Sequence, residues 1–195
     1  MKSKIKAFFK RILDRIKRNP KKSVFFGLLF IAYYFCLPRT LFEQPYSTVI
    51  ESEEGELLGA KIARDGQWRF PAQDSIPEKF KKCIVYFEDE HFYQHPGFNP
   101  IAMVKAAKQN HDAGRVVRGG STLTQQVIRL SRGEKKRNYF EKLVELVLAT
   151  RLEFRYSKEK ILELYAAQAP YGGNVVGLEM ASWRYFGVQP HQLSW

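Results

Sequence analysis

Two cysteines in 195 residues are too few for a disulfide framework. Cys36 lies in an apolar segment and Cys83 in the domain that follows, so they do not pair, and Cys83 reads as a small buried residue on a helix. Internal repeats are absent, and so are low-complexity tracts beyond a basic N-terminal tail. The composition is 45% hydrophobic and 27% charged, with 13 Gly and 9 Pro, which excludes a disordered chain, a collagen-like fibre and a coiled coil. Acids are in deficit: 20 Asp and Glu stand against 32 Lys and Arg, a net charge of +12. Charge of that sign points to nucleic acid or an anionic membrane surface, and its distribution decides between them. Residues 1–22 hold ten Lys or Arg against one acid, Asp14, a net +9, whereas the other 173 residues carry 22 basic and 19 acidic side chains, a net +3. A near-neutral domain therefore carries a basic tail, and no feature points to nucleic acid.

The chain also lacks a run of about 20 apolar residues, the usual length of a membrane-spanning helix. Val24 to Leu37 is fourteen residues without a charge. A buried core helix is one reading of it. The h-region of a cleaved signal peptide, about 7 to 15 residues, is another. No small-x-small cleavage site follows, because the next residues are Pro38-Arg39-Thr40-Leu41-Phe42. An uncleaved signal anchor over residues 23–38 fits better, with Tyr33 and Tyr34 near the outer interface and the basic residues 1–22 in the cytoplasm. Residues 39–195 then form a domain on the outer, periplasmic side of the cytoplasmic membrane.

Residues 46–70 read as strands. Ser47–Ser52 and Leu57–Ala63 flank a turn at Glu54-Gly55, and Asp65-Gly66 turns the chain again before Gln67–Phe70. Pro77 suits the first turn of a helix capped by Ser75. Helical spacing of apolar residues then predicts helices over Glu78–His91, Ile101–Asn110, Thr122–Leu130, Tyr139–Phe154, Lys158–Ala166 and Gly177–Tyr185.

Several polar groups exceed what a packed helical domain needs. Glu88-Asp89-Glu90 places three acids at a helix end that prefers cations, either as a solvated corner or as a carboxylate held for chemistry. His91 and His95 are four apart, but Pro96-Gly97 ends any helix there and no HExxH pattern is present, so zinc is not favoured. Arg118-Gly119-Gly120-Ser121-Thr122 opens a helix. Ser121 or Thr122 can cap it and Thr122 with Gln125 can form a capping box, although that does not account for the double glycine beside Arg118, Gln125 and Gln126. Lys142 and Glu145 share a helix face, as a surface ion pair would. Ser157 reads as an N-cap for the helix that begins at Lys158, and Gly172-Gly173-Asn174 as a loop needing positive φ.

In order and spacing these segments resemble glycosyltransferase family 51, the peptidoglycan polymerase domain of class A penicillin-binding proteins and monofunctional transglycosylases. The family pattern Glu-Asp-x-x-Phe-x-x-His-x-Gly is carried by Glu88, Asp89, Phe92, His95 and Gly97. Gly-x-Ser-Thr-x-x-Gln-Gln is carried by Gly119, Ser121, Thr122, Gln125 and Gln126. Arg-Lys-x-x-Glu is matched at Lys142 and Glu145, with Glu141 where Arg is expected. Lys-x-x-Ile-Leu-Glu-x-Tyr-Leu-Asn is matched at Lys158, Ile161, Leu162, Glu163 and Tyr165, with Ala166 and Ala167 in place of Leu-Asn. Trp68–Pro71 and Ala169–Asn174 add to the likeness, which runs from about Tyr46 to the last residue. The chain stops at Trp195 where the family continues, so it looks like the N-terminal portion of a longer enzyme.

The resemblance implies a mainly α, lysozyme-like glycosyltransferase domain with a small β element, preceded by a single transmembrane helix. It implies an inverting transfer in which lipid II is polymerised into β-1,4 glycan and polyprenyl pyrophosphate is expelled. Glu88 is then the general base. Glu145 orients the pyrophosphate-side cations or holds an optional Mg or Mn, no cofactor being required. Substrate-binding roles fall to Asp89, Phe92, His95, Gly120, Ser121, Thr122, Gln125, Gln126, Arg129, Lys142, Lys158, Glu163 and Asn174. Implied partners are lipid II, the growing glycan and the bilayer, with other cell-wall synthesis proteins as further candidates. Arg129, Arg151 or Arg155 can replace the cation missing at Glu141. Two other readings stay open: a glycan-cleaving lytic enzyme, which needs no pyrophosphate-side cation, and an inactive lipid II-binding scaffold, which the departures at Glu141, Ala166 and Ala167 would suit.

Overall fold

The computed structural model describes residues 18–71, 75–133, 135 and 138–195. The chain divides into two compact units, with the boundary between Arg39 and Thr40. In the first, helix α1 covers Pro20–Phe35, starting with proline at its first position and burying none of its residues. Its 16 residues rise about 24 Å at 1.5 Å per residue, short of a hydrocarbon core of about 30 Å. Among the described residues no helix is long and apolar enough to cross a membrane. The helix also begins three residues before the expected span and takes in Lys21 and Lys22. The tail at residues 1–17 lies outside the described residues.

The second unit is mainly helical, with strands β1 (Thr48–Glu51), β2 (Leu57–Lys61), β3 (Trp68–Arg69) and β4 (Val175–Val176). Its helices are α2 (Glu78–Glu88), α3 (Pro100–Asp112), α4 (Leu123–Arg132), α5 (Tyr139–Glu153), α6 (Lys158–Gln168) and α7 (Leu178–Phe186), with short 3-10 turns at Phe92–Gln94 and Pro190–Gln192. The hairpin β1–β2 forms as expected, in the register Val49 to Ala60, with an irregularity at Ile50/Glu51. The third strand lies outside the hairpin's sheet. It turns back at Asp65-Gly66, yet it pairs in parallel with β4, Trp68 beside Val175 and Arg69 beside Val176. Arg69 explains the choice: its side chain is buried, bonding Asp65 at 3.1 Å and the carbonyl of Pro45 at 2.7 Å, while its backbone N–H reaches Ser47 Oγ. β3 is thus held on its other side by the chain entering β1, and Trp68 N–H donates to the Asn174 carbonyl at 2.7 Å.

The core is the α4–α5–α6 assembly. Leu123, Val127 and Ile128 on α4, Ala149 and Leu152 on α5, and Ile161 and Leu162 on α6 are fully enclosed. Apart from Ala149, each contributes roughly 1.5–3 kcal/mol of apolar burial. A second cluster joins Phe70, Val175, Met180 and Ala181, with Trp68 and Trp183 packed against it.

Capping follows the sequence in part. Thr122 caps α4 through Gln125 N–H and Ser157 caps α6 through Lys160 N–H. Pro77, not Ser75, occupies the N-cap of α2, and no side chain caps it. Asn99 and Asn138 cap α3 and α5. Cys83 is exposed on α2, not buried.

Candidate active site

The first acidic motif bends away from helix geometry earlier than expected. α2 ends at Glu88, and Asp89 adopts φ −159°, ψ 73°, so consecutive carboxylates leave in different directions. Asp89 turns inward. Both its oxygens lie 3.0 Å from His95 Nε2, and Oδ2 also accepts the backbone N–H of Leu123 at 3.0 Å. Leu123 is the first residue of α4, so Asp89 satisfies an otherwise unpaired donor and places negative charge at the helix's positive end. His95 Nδ1 accepts the Gly97 N–H at 3.2 Å, which puts the ring proton on Nε2, facing Asp89. Gly97 closes the loop at φ +96°, where a Cβ would lie 2.7 Å from the Ala149 carbonyl oxygen; only glycine fits. Its carbonyl in turn accepts the Thr122 hydroxyl at 2.7 Å.

Glu88 turns outward, half-buried, and its Oε2 accepts a hydrogen bond from Gln126 Nε2 at 2.7 Å. A groove of about 770 Å³ opens over it, lined by Glu88 to His91, by Lys105 on α3, by Arg118 to Thr122, and by Gln126 and Arg129. Gly120 is packed against α3, with a built Cβ only 3.1 Å from the Met103 Cα, so the loop that lines the groove lies close on that helix.

Arg129 lines the same groove, and Lys142 reaches it through Ser121. Arg129 donates from Nε and Nη2 to the two oxygens of Glu145, at 3.0 and 3.1 Å. Its Nη2 also reaches Ser121 Oγ at 3.2 Å. Lys142 Nζ lies 2.8 Å from the same Ser121 oxygen, 2.8 Å from Gln125 Oε1 and 3.6 Å from Glu145. Ser121 therefore sits between two cations with a buried acid behind them. Burial pushes the Glu145 carboxyl up, but the hydrogen bonds and charge of Arg129, and then of Lys142, outweigh it and hold the group below its ordinary 4.5. Gln125 is fully buried and keeps its carbonyl toward Lys142, although its Nε2 has no hydrogen-bond partner. An inverted amide would set donor against donor.

The adjacent pair Gln125–Gln126 thus serves two ends of one site, because neighbouring helical residues point about 100° apart. Half of the expected capping box forms: Thr122 accepts from Gln125 N–H, while the Gln125 side chain goes to Lys142 instead.

A third group supports the site from behind. Glu153 Oε1 accepts from Thr124 at 2.5 Å and from Lys158 at 2.8 Å, and Lys158 also donates to the His95 carbonyl at 2.8 Å. Lys158 Nζ stands 4.3 Å from the ring centre of Phe92, which is fully buried. Phe92, His95 and Lys158 are therefore brought together beside the acidic motif. Two of the expected residues lie elsewhere. Glu163 pairs with Lys160 at 2.8 Å on the outer side of α6, and Asn174 donates to the Gly66 carbonyl at 3.0 Å. Glu153, Lys105 and Tyr165 were missed as site residues. The acid–lysine spacing of Glu153 and Lys158 spans a break between helices, so it matches no helical period. Burial pushes the Tyr165 hydroxyl up to about 12, and the Glu88 charge adds to it. Glu141 bonds Arg132 at 2.6 Å, so the acid where the family has arginine has its own cation.

Among the described residues no group of three or more His, Cys, Asp or Glu could hold a metal ion. Both Glu145 oxygens are already taken by Arg129, so the donors present do not fit a divalent ion there.

A family model for transglycosylases matches residues 54–195. Penicillin-binding protein 1C of Escherichia coli is 38% identical over 159 residues, which cover 81% of this chain and 20% of that protein. A biosynthetic peptidoglycan transglycosylase of Alcanivorax borkumensis is 40% identical over 121 residues, 62% of this chain and 49% of its own length. Another, from Cupriavidus metallidurans, is 32% identical over 177 residues, 86% of this chain and 74% of its own. The chain spans a minor part of the penicillin-binding relative and most of the Cupriavidus one. The matched segment includes the groove, its cations and the three helices that hold them, and the chain belongs to the transglycosylase family.

Proposed function

We propose that this chain is a peptidoglycan glycosyltransferase that polymerises lipid II into β-1,4-linked glycan. The observation that supports this most is that one groove holds an accessible carboxylate, Glu88, together with Arg129 and with Ser121, whose hydroxyl oxygen also accepts from Lys142 behind it. A sugar hydroxyl is a weak nucleophile near neutral pH. A positioned carboxylate that takes its proton contributes roughly 10²–10⁴-fold. In the proposed step the hydroxyl proton passes to Glu88 as the new oxygen–carbon bond forms at the anomeric carbon. The bond to the lipid pyrophosphate breaks, with inversion, and the pyrophosphate leaves with the bonding electrons. Arg129 and Lys142 then stabilise the developing charge, Ser121 marking the point between them. Glu145 holds both cations toward the groove. A lytic enzyme would have no use for that cation pair.

The lipid chain of such a substrate stays in a bilayer. We assign α1, none of whose residues is buried and which is preceded by Arg18, to membrane anchoring, with residues 39–195 on the outer face of the cytoplasmic membrane.

The experiment is polymerisation of lipid II in detergent by the chain and by Glu88→Gln. Glycan from the wild type and a loss of more than about 100-fold in the variant support the reading. Lipid II binding without polymer from the wild type would point to a scaffold instead.

A further inference from the structure

We infer that Gln126 is the positioning residue for the proton-accepting carboxylate. Its amide occupies Glu88 Oε2 and leaves Oε1 as the oxygen that receives the proton. The inference rests on Glu88 being the general base.

Gln126 sits on a helix that cannot shift easily. Its neighbours Leu123, Thr124, Gln125, Val127 and Ile128 are all fully buried, and Thr122 caps the first turn. α4 grips the acidic pair at two points, three residues apart on the same side. Leu123 N–H holds Asp89 at 3.0 Å and Gln126 Nε2 holds Glu88 at 2.7 Å. The first fixes the backbone beside Glu88, and the second fixes its side chain. With both in place the carboxylate loses its freedom to rotate, and the reacting oxygen is defined before substrate enters.

The chemical type of the partner matters. A cation against Glu88 would stabilise its charge strongly and make it a poor proton acceptor. That is the state of Glu145 beside Arg129 and Lys142. A neutral amide orients the carboxylate with a smaller effect on its affinity for a proton. An inverted amide would place oxygen against oxygen, so the donor end is set. The charged and titratable groups around Glu88 are Asp89, Glu90 and His91 on its own segment, Lys105 on α3, Arg118 in the loop before α4, Arg129 on α4 and Tyr165 on α6.

The test compares wild type, Gln126→Met, Gln126→Glu and Glu88→Gln by kcat, KM and the pH profile of lipid II polymerisation, with melting temperatures alongside. For Gln126→Met the expected result is a kcat lower by about tenfold near neutral pH, KM within about twofold, and the acid limb of the profile moved up by less than about one pH unit. Gln126→Glu, nearly the same shape, sets a second carboxylate against Glu88 and should move the acid limb further, with activity recovering as pH rises. A raised KM with an unchanged kcat and profile would make Gln126 a substrate contact and overturn the inference. So would wild-type behaviour of both Gln126 variants. Full activity in Glu88→Gln would instead remove the base on which the inference rests, whatever the Gln126 variants do.

Discussion

Two glutamates, one lining the groove and one buried behind its cations, are held in opposite ways. Glu88 is half-buried at a helix end, and its recorded hydrogen bond comes from a neutral amide. Glu145 lies in the middle of α5 with a side chain only 10% exposed, both oxygens bonded to Arg129 and a lysine 3.6 Å away. The first is the carboxylate proposed as the base. The second is pinned as an anion and serves as the counter-charge that keeps two cations in place. On the proposed reading, carboxylates of equal intrinsic acidity become a base and an anchor through their partners. A third, Glu179 in the first turn of α7, shows what happens without cations: burial, with the charge of Glu51 added, pushes it up to about 7.

The sharpest way to break the comparison is to remove each acid's charge in turn. Glu88→Gln should lower polymerisation by more than about 100-fold while leaving the melting temperature within about 2 °C. Next comes Lys142→Met, which removes one of the two cations beside Ser121. A loss of about 10- to 100-fold in kcat, measured with saturating lipid II, is expected.

Glu145→Gln acts mainly on stability, because it leaves Arg129 facing a neutral group in a partly buried site. About 2 kcal/mol should be lost, read from urea midpoints at pH 7. The sign with pH follows from its depressed acidity. The Glu145 contribution is complete above the ordinary value of 4.5 and disappears as pH falls through the lower folded value. The gap between wild type and variant should therefore narrow on acidification below about pH 4.5. Glu179 runs the other way. Its acidity is weakened by folding, so stability falls as pH rises from 4.5 through about 7. Glu179→Gln should gain about 1 kcal/mol at pH 8, after allowance for partial exposure, and nothing at pH 4. The smallest effect belongs to Glu141→Arg, which restores the family residue but breaks the pair with Arg132. A cost of about 0.5 kcal/mol is expected, with polymerisation within about twofold of wild type.

Much of this could be read from the chain itself, for reasons that separate local from distant information. A hydroxyl before an amphipathic run marks the N-cap Ser157 and narrows another to Ser121 or Thr122, of which Thr122 caps, yet the same signal at Ser75 gives no cap. The Glu88, Ser121, Gln126 and Lys142 segments were recognisable by order and spacing, and they meet at the groove. The end of α2 was placed three residues too late, since the cause is tertiary: Asp89 leaves the helix to reach His95 and Leu123. The partner of β3 was invisible because β4 is two residues long and lies over 100 positions away. Cys83 was expected inside because cysteine usually is, and nothing local says which side of α2 faces outward. Glu163 and Asn174 belong to the recognised segments yet point to Lys160 and Gly66, which shows that a motif fixes a neighbourhood more firmly than a role.

The central claim is that Glu88 is the base and Glu145 the anchor. The most direct measurement is steady-state polymerisation of lipid II by Glu88→Gln and Glu145→Gln, with kcat and KM resolved on protein shown to be folded. The account predicts a collapse of kcat in Glu88→Gln and a folded Glu145→Gln that retains measurable turnover with a raised KM. Near-normal kcat in Glu88→Gln, with turnover abolished only in Glu145→Gln, would contradict it.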